Sequence, residues 1–165
     1  AGMTGAAAAL ARIAEAGAPF VSRGDDSGTH KREMALWRAA DIDVAQLSPS
    51  WYREAGSGMG ATLNIAAAMA AYTLADSGTW LNFNNRQGLE VVIRGDPALF
   101  NPYGVILVNQ DKHPHVKSAL GQRFIDWLIS PAGQATISSF MINGERAFTA
   151  DARADIVLPN GDQTE

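Results

Sequence analysis

Residues 20–37 read Phe20-Val21-Ser22-Arg23-Gly24-Asp25-Asp26-Ser27-Gly28-Thr29-His30-Lys31-Arg32-Glu33-Met34-Ala35-Leu36-Trp37. The apolar start, Phe20 to Arg23, predicts a short strand. The string Gly-Asp-Asp-Ser-Gly breaks it, and helical composition resumes at Thr29. Met34 and Trp37 fall three apart on one helix face, with Ala35 and Ala39 beside them. Asp26 or Ser27 can cap this helix, because each offers a side-chain oxygen to the first free amides. A strand, a tight turn and a helix therefore follow in order.

The same alternation continues on both sides. Residues 4–16 predict a helix capped by Thr4 and ended by Gly17 and Pro19. Residues 41–50 form a polar connection through Pro49. Residues 51–58 run extended into a glycine-rich turn, and 59–70 predict a further helix. Residues 72–75 are strand-like, 76–83 read as a short capped helix, and 89–94 as a strand. Tyr103 to Asn109 is the clearest apolar run, suited to a strand buried on both faces. After a connector at 112–116, residues 117–129 predict an amphipathic helix with Phe124, Trp127 and Leu128 on one face. Ser130-Pro131 starts another helix, whose stripe is Ile137, Phe140 and Met141. Residues 151–165 read as an acidic tail. Trp37, Trp80 and Trp127 are expected in the core; Trp51-Tyr52 could equally line a cleft. Arg53, Glu54, Arg94 and Asp96 read as surface charges. Strands alternating with helices imply an α/β fold with a mixed sheet flanked by helices. Ligands in such sheets sit beyond the carboxyl ends of strands, facing helix N-termini.

Composition bounds the function. The chain has 165 residues, 47% hydrophobic and 18% charged, with a formal charge of −4. That is enough apolar material for a core, and it excludes disorder. The acidic balance disfavours nucleic acid as partner. Cysteine is absent, which removes disulfides, thiol catalysis and Cys-based metal sites. His30, His113 and His115 are too scattered for an evident metal site. No run of about 20 apolar residues reads as a membrane-crossing helix. The first residues do not read as a signal peptide.

The chemistry concentrates in residues 22–30. A helix starting at Ser27 or Gly28 leaves amides pointing outward, and its dipole adds partial positive charge there. Ser27 and Thr29 bring hydroxyls, and Gly28 permits close approach. Arg23 brings a full charge in a planar fork suited to oxyanions, and Asp25 can orient it. These parts make a small-anion site; the same string also makes an ordinary loop with a good N-cap. His30 reads as exposed or capping. The spacing of a nucleotide P-loop is absent.

Arg-x-Asp-x-Ser-Gly-Thr at 23–29 resembles the oxyanion loop of periplasmic phosphate-binding and tungstate-binding proteins. Residues 51–66 (WYREAGSGMGATLNIA), 71–83 (AYTLADSGTWLNF), 95–109 (GDPALFNPYGVILVN), 112–116 (KHPHV) and 124–140 (FIDWLISPAGQATISSF) resemble the tungstate-binding proteins of ABC importers. The resemblance implies a periplasmic binding protein-like fold of type II. It implies a receptor outside the cytoplasmic membrane that binds tungstate or molybdate, serves a membrane permease and catalyses nothing. No cofactor is implied. Arg23, Ser27, Gly28 and Thr29 would touch the anion, with Asp25 pairing with Arg23. Gly60 and Ala61 would offer amides at a second helix start, and Thr73 is a further candidate. The family's Thr/Ser-rich segment of the first lobe is not found here. The chain is therefore expected to be an incomplete two-lobe protein. In that scheme, residues 1–17 lead into lobe two, 18–95 form it, 96–150 return to lobe one, and 151–165 form the tail.

Three alternatives compete. One is a phosphate or sulfate receptor of the same fold. Another is the ligand-sensing domain of a regulator, for which no DNA-binding segment is present. The third is a hydrolase using Ser27 and His30, for which no oriented base–acid pair is visible.

Overall fold

The computed structural model describes residues 5–46 and 50–152. The chain divides into two compact units between Pro102 and Tyr103. The first holds helices α1 (Ala6–Ala16), α2 (Gly28–Ala39), α3 (Met59–Met69) and α4 (Ser77–Asn82), with strands β1 (Phe20–Ser22) and β2 (Tyr52–Glu54). The second holds α5 (Ser118–Ile129), α6 (Pro131–Ser139) and the hairpin β3 (Met141–Ile142) and β4 (Glu145–Arg146).

In the first unit β1 is central. It pairs in parallel with β2, with Phe20 opposite Tyr52 and Ser22 opposite Glu54. On its other edge Tyr72 forms a parallel bridge with Phe20, and Val21's amide donates to Tyr72's carbonyl at 2.8 Å. Successive strand residues face opposite sides, and here the two sides are covered by different helices. Phe20 packs with Leu10 of α1, Leu36 and Trp37 of α2, and Tyr52. Val21 packs with Ala66 of α3 and Ala71. Phe20 meets Trp37 edge-on at 5.2 Å and stacks on Tyr52 at 5.9 Å. Each such ring pair adds roughly 0.5–1.5 kcal/mol beyond the area it buries. Tyr52 thus belongs to the core, as does Trp37, which has no exposed surface.

Several expectations need correction. Of residues 72–75 only Tyr72 joins the ladder. Residues 89–94 and 103–109 are not strands. A strand requires neighbours for its backbone groups, and no described segment pairs with either. Val92 and Ile106 are 71% and 89% exposed. Trp127, expected in the core, is 44% exposed and stacks beside exposed Phe124. Asp96 is not an idle surface charge: its carboxylate accepts from the Ala6 amide at α1's start and from Ala98's amide. Those two bonds hold its carboxyl below the usual carboxylate range.

The second unit follows its sequence more closely at the helices. Ser130 caps α6 by accepting from Gly133's amide at 3.2 Å. Gly133 is required there, because a Cβ would run into the Trp127 carbonyl. Helix α6 ends at Ser139, so Met141 leaves the expected helical stripe and enters β3. Asn143 and Gly144 turn the hairpin with φ of 52° and 81°, the left-handed pair that a two-residue turn of this type needs. Thr4, Pro49 and the tail beyond residue 152 lie outside the described residues.

Candidate anion site

The carboxyl ends of β1 and β2 run side by side beyond the sheet. Ala55's amide donates to Ser22's carbonyl at 2.8 Å, and Ser57's amide to Arg23's carbonyl at 3.2 Å. Chain β1 then turns sharply. Gly24 has φ +61°, and a Cβ on it would meet Glu54 Cβ at 2.7 Å, so glycine alone permits this crossing. Asp26 adopts φ 57°. Ser27 is the N-cap of α2, with Oγ accepting from His30's amide at 3.3 Å.

Asp25 organises the turn. Its Oδ2 accepts from Arg23 Nε at 3.1 Å and from Nη2 at 2.5 Å, while Oδ1 accepts from Ser27's amide at 3.2 Å. Its carboxyl titrates at about 2, chiefly because Ser27's hydroxyl bonds to it, with Arg23 and the Ser27 amide adding to the effect. The pairing of Asp25 with Arg23 is thus as expected. A guanidinium has five N–H donors, and Asp25 is Arg23's sole acceptor among the described residues. The remaining donors stay available. The amides of Gly28 and Thr29, on the first turn of α2, have no acceptor among the described residues, as helix geometry requires.

A second helix start lies beside the first. Gly58 caps α3 without a side-chain bond. Thr62, fully buried, turns its hydroxyl onto the carbonyls of Gly58 and Ser57. Gly60 and Ala61 are exposed at this start. The third crossing carries a charged cap: after Tyr72 and Thr73, Asp76 caps α4, accepting from Thr79's amide at 2.7 Å and hydroxyl at 2.8 Å.

Beneath the turn sits a buried carboxylate. Glu33 is 1% exposed, and its Oε1 accepts from Trp37 Nε1 at 3.1 Å and Tyr52's hydroxyl at 3.0 Å. Burial pushes its carboxyl up, against hydrogen bonds from Ser22, Trp37 and Tyr52 that pull it down. Ser22 Oγ in turn accepts from Gly24's amide at 3.2 Å. Glu33 is therefore tied to the turn itself, a role that its place on a helical face does not reveal.

His30 folds back: its Nδ1 accepts from Asp26's amide at 3.0 Å. Serine hydrolysis would need Ser27 Oγ bonded to this ring; Oγ meets His30's backbone amide instead. Among the described residues, three side-chain atoms hidden from solvent have no hydrogen-bond partner, namely His30 Nε2, Ser57 Oγ and Thr73 Oγ1. Ser57 carries no mark of its own in the sequence beyond the Ser-Gly that also opens α2. Among the described residues no group of three or more His, Cys, Asp or Glu side chains could hold a metal ion. No described helix is long and apolar enough to cross a membrane.

Residues 4–132 match the PBP superfamily domain. The chain belongs to the PBP superfamily. Within it, the chain is 45% identical over 159 residues to a Haloferax volcanii protein named for anion binding in an ABC transporter, covering 93% of this chain and 46% of the relative. It is 42% identical over 132 residues to the tungstate-binding protein TupA of Peptoclostridium acidaminophilum, covering 80% and 45%. The structure described as the tungstate ABC transporter from Geobacter sulfurreducens superposes with a TM-score of 0.73 at 44% identity, over 81% of this chain and 56% of that one. The chain spans about half the length of the curated relatives it matches. The α/β expectation is met: this PBP superfamily chain builds a parallel sheet core with helices on both faces.

Proposed function

We propose that this chain supplies one wall of an extracytoplasmic receptor that captures a fully deprotonated tetrahedral oxyanion, tungstate or molybdate, for an ABC importer's membrane permease. Residues 18–95 serve as the anion-binding lobe, 1–17 lead into it, and 96–150 return to the other lobe. Capture proceeds by closure of two lobes, without chemical reaction. The observation that supports this reading is that Asp25 ties Arg23 to the start of α2 where β1 ends, while the amides of Gly28 and Thr29 there have no acceptor among the described residues. Ser27 holds that helix start, and Gly60, Ala61 and Thr73 lie on the neighbouring crossings. Tungstate carries no proton near neutral pH, so it only accepts hydrogen bonds. Of the two carboxylates in this loop, Asp25 is occupied by Arg23 and Ser27 and Asp26 lies 3.4 Å from Lys31 Nζ at the surface, which favours an anion that only accepts. A protonated phosphate would want an acceptor as well.

Calorimetric titration of the 165-residue chain with sodium tungstate tests the reading. Arg23→Ala is expected to weaken binding about 10- to 100-fold, the range for hydrogen bonds to a charged partner. Equal affinity with and without Arg23 would overturn the assignment, as would a preference for phosphate.

A further inference from the structure

Buried polar side-chain atoms without hydrogen-bond partners are few in folded proteins, and each calls for an explanation such as a ligand or water. In this chain His30 Nε2, Ser57 Oγ and Thr73 Oγ1 are such atoms, and they are not scattered. Each lies on a segment leaving the same end of three parallel crossings. His30 stands on the first turn of α2, after β1. Ser57 follows β2, with its amide bonded to Arg23's carbonyl at 3.2 Å. Thr73 follows Tyr72, whose carbonyl takes Val21's amide at 2.8 Å.

Their chemistry agrees as well as their placement. His30 Nδ1 accepts from Asp26's amide, so it carries no hydrogen. The hydrogen bonding thereby assigns the proton of the neutral ring to Nε2, making that nitrogen a donor. The hydroxyls of Ser57 and Thr73 rotate freely enough to donate too. Among the described residues, three neutral donors therefore lack an acceptor on the segments that leave this end of the sheet.

We infer that His30 and Ser57, together with Thr73, form a second bank of oxyanion ligands beside Arg23 and the amides of Gly28 and Thr29. Resting on the proposed oxyanion function, the inference adds ligands that supply hydrogen bonds without adding charge. The dianion is then held by one guanidinium, helix-end amides and three neutral donors.

The test uses the isotope-labelled 165-residue chain, titrated with sodium tungstate at ionic strength held constant with sodium chloride. Long-range proton–nitrogen spectra read the His30 ring directly. The ring is expected to show the Nε2–H tautomer before addition. Its Nε2 resonance should then move saturably, with the same midpoint as the amides of Gly28 and Thr29. His30→Ala and Ser57→Ala should each raise that midpoint about tenfold. His30→Ala also removes the partner of Asp26's amide, so the ring signal of the unaltered chain is decisive where that variant folds poorly. If Gly28 and Thr29 shift saturably while the His30 ring stays still and both variants keep the midpoint, the three atoms are satisfied by trapped water. The inference then fails and the receptor reading stands. If neither Gly28 nor Thr29 shifts saturably, both fail.

Discussion

The tetrapeptide Asp-Ser-Gly-Thr occurs twice, at 26–29 and at 76–79, and opens a helix each time. The two helices begin one residue apart in register. At 76–79 the aspartate is the cap, and its carboxylate stands at the helix start, accepting from Thr79. At 26–29 the serine is the cap, while Asp26 sits at φ 57° with its carboxylate 3.4 Å from Lys31 Nζ at the surface. The residue before each tetrapeptide accounts for the difference. Asp25 captures Ser27's amide and holds Arg23; Ala75 has no polar side chain with which to do so. Identical residues thus give a helix start covered by a carboxylate in one place and a start with a neutral serine cap, tied through Asp25 to the Arg23 guanidinium, in the other.

The strongest way to break the contrast is Gly24→Ala. At φ +61°, with Glu54 Cβ 2.7 Å from where its Cβ would stand, alanine should cost about 1–3 kcal/mol. Chemical denaturation measures that loss. Next comes Asp25→Ala, which removes what distinguishes the two loops. Asp26 is expected to take over the cap, its carboxylate repelling the dianion, and the tungstate midpoint at Gly28 should rise at least about tenfold. An unchanged midpoint would refute this account of the register. Removing the caps sharpens the comparison. Ser27→Ala and Asp76→Ala should each destabilise by about 1 kcal/mol, but only Ser27→Ala should disturb the tungstate titration.

The smallest effect is read in acid. Asp25 titrates at about 2 against the ordinary 3.8, so its stabilisation is complete above about pH 4 and fades as pH falls toward 2. Asp25→Asn should flatten that limb in thermal melts. Glu33 has the opposite sign. Because burial raises its carboxyl above 4.5, the folded state favours the protonated form and stability declines as pH rises from there. Glu33→Gln should remove that decline. Seven residues after the second aspartate stands Phe83, so the second helix carries no such dependence at that place.

Local signals carry far in this chain, and signals that depend on distant neighbours do not. Phe20 to Ser22 is readable as a strand, and β2 and Tyr72 flank it within the described residues. Tyr103 to Asn109 is more apolar still, yet apolar character alone does not supply hydrogen-bonding neighbours, and Val108 is 52% exposed. Ser130-Pro131 is legible because proline's fixed backbone angle suits a helix start. Asn143-Gly144 bears an equally local hairpin mark that a helical reading of Met141 overrides. At the candidate site, the strand–turn–helix path and the Arg23–Asp25 pair follow from spacing. The hidden donors of His30 and Ser57 do not, because burial and the capture of Nδ1 by Asp26's amide arise only in the folded chain.

The donors at Gly28 and Thr29 are main-chain groups, which has a consequence for how this corner tolerates genetic drift. Exchanging one ordinary side chain for another leaves a backbone amide in place; only proline deletes it. The first position of a helix is where proline is best accommodated. Gly28 occupies that position after extended Ser27, and a Cβ there meets nothing nearer than Asn101 Oδ1 at 4.0 Å. Gly28→Pro is therefore a way to silence a single N–H while the helix persists, a lesion that no alanine scan of the loop could make.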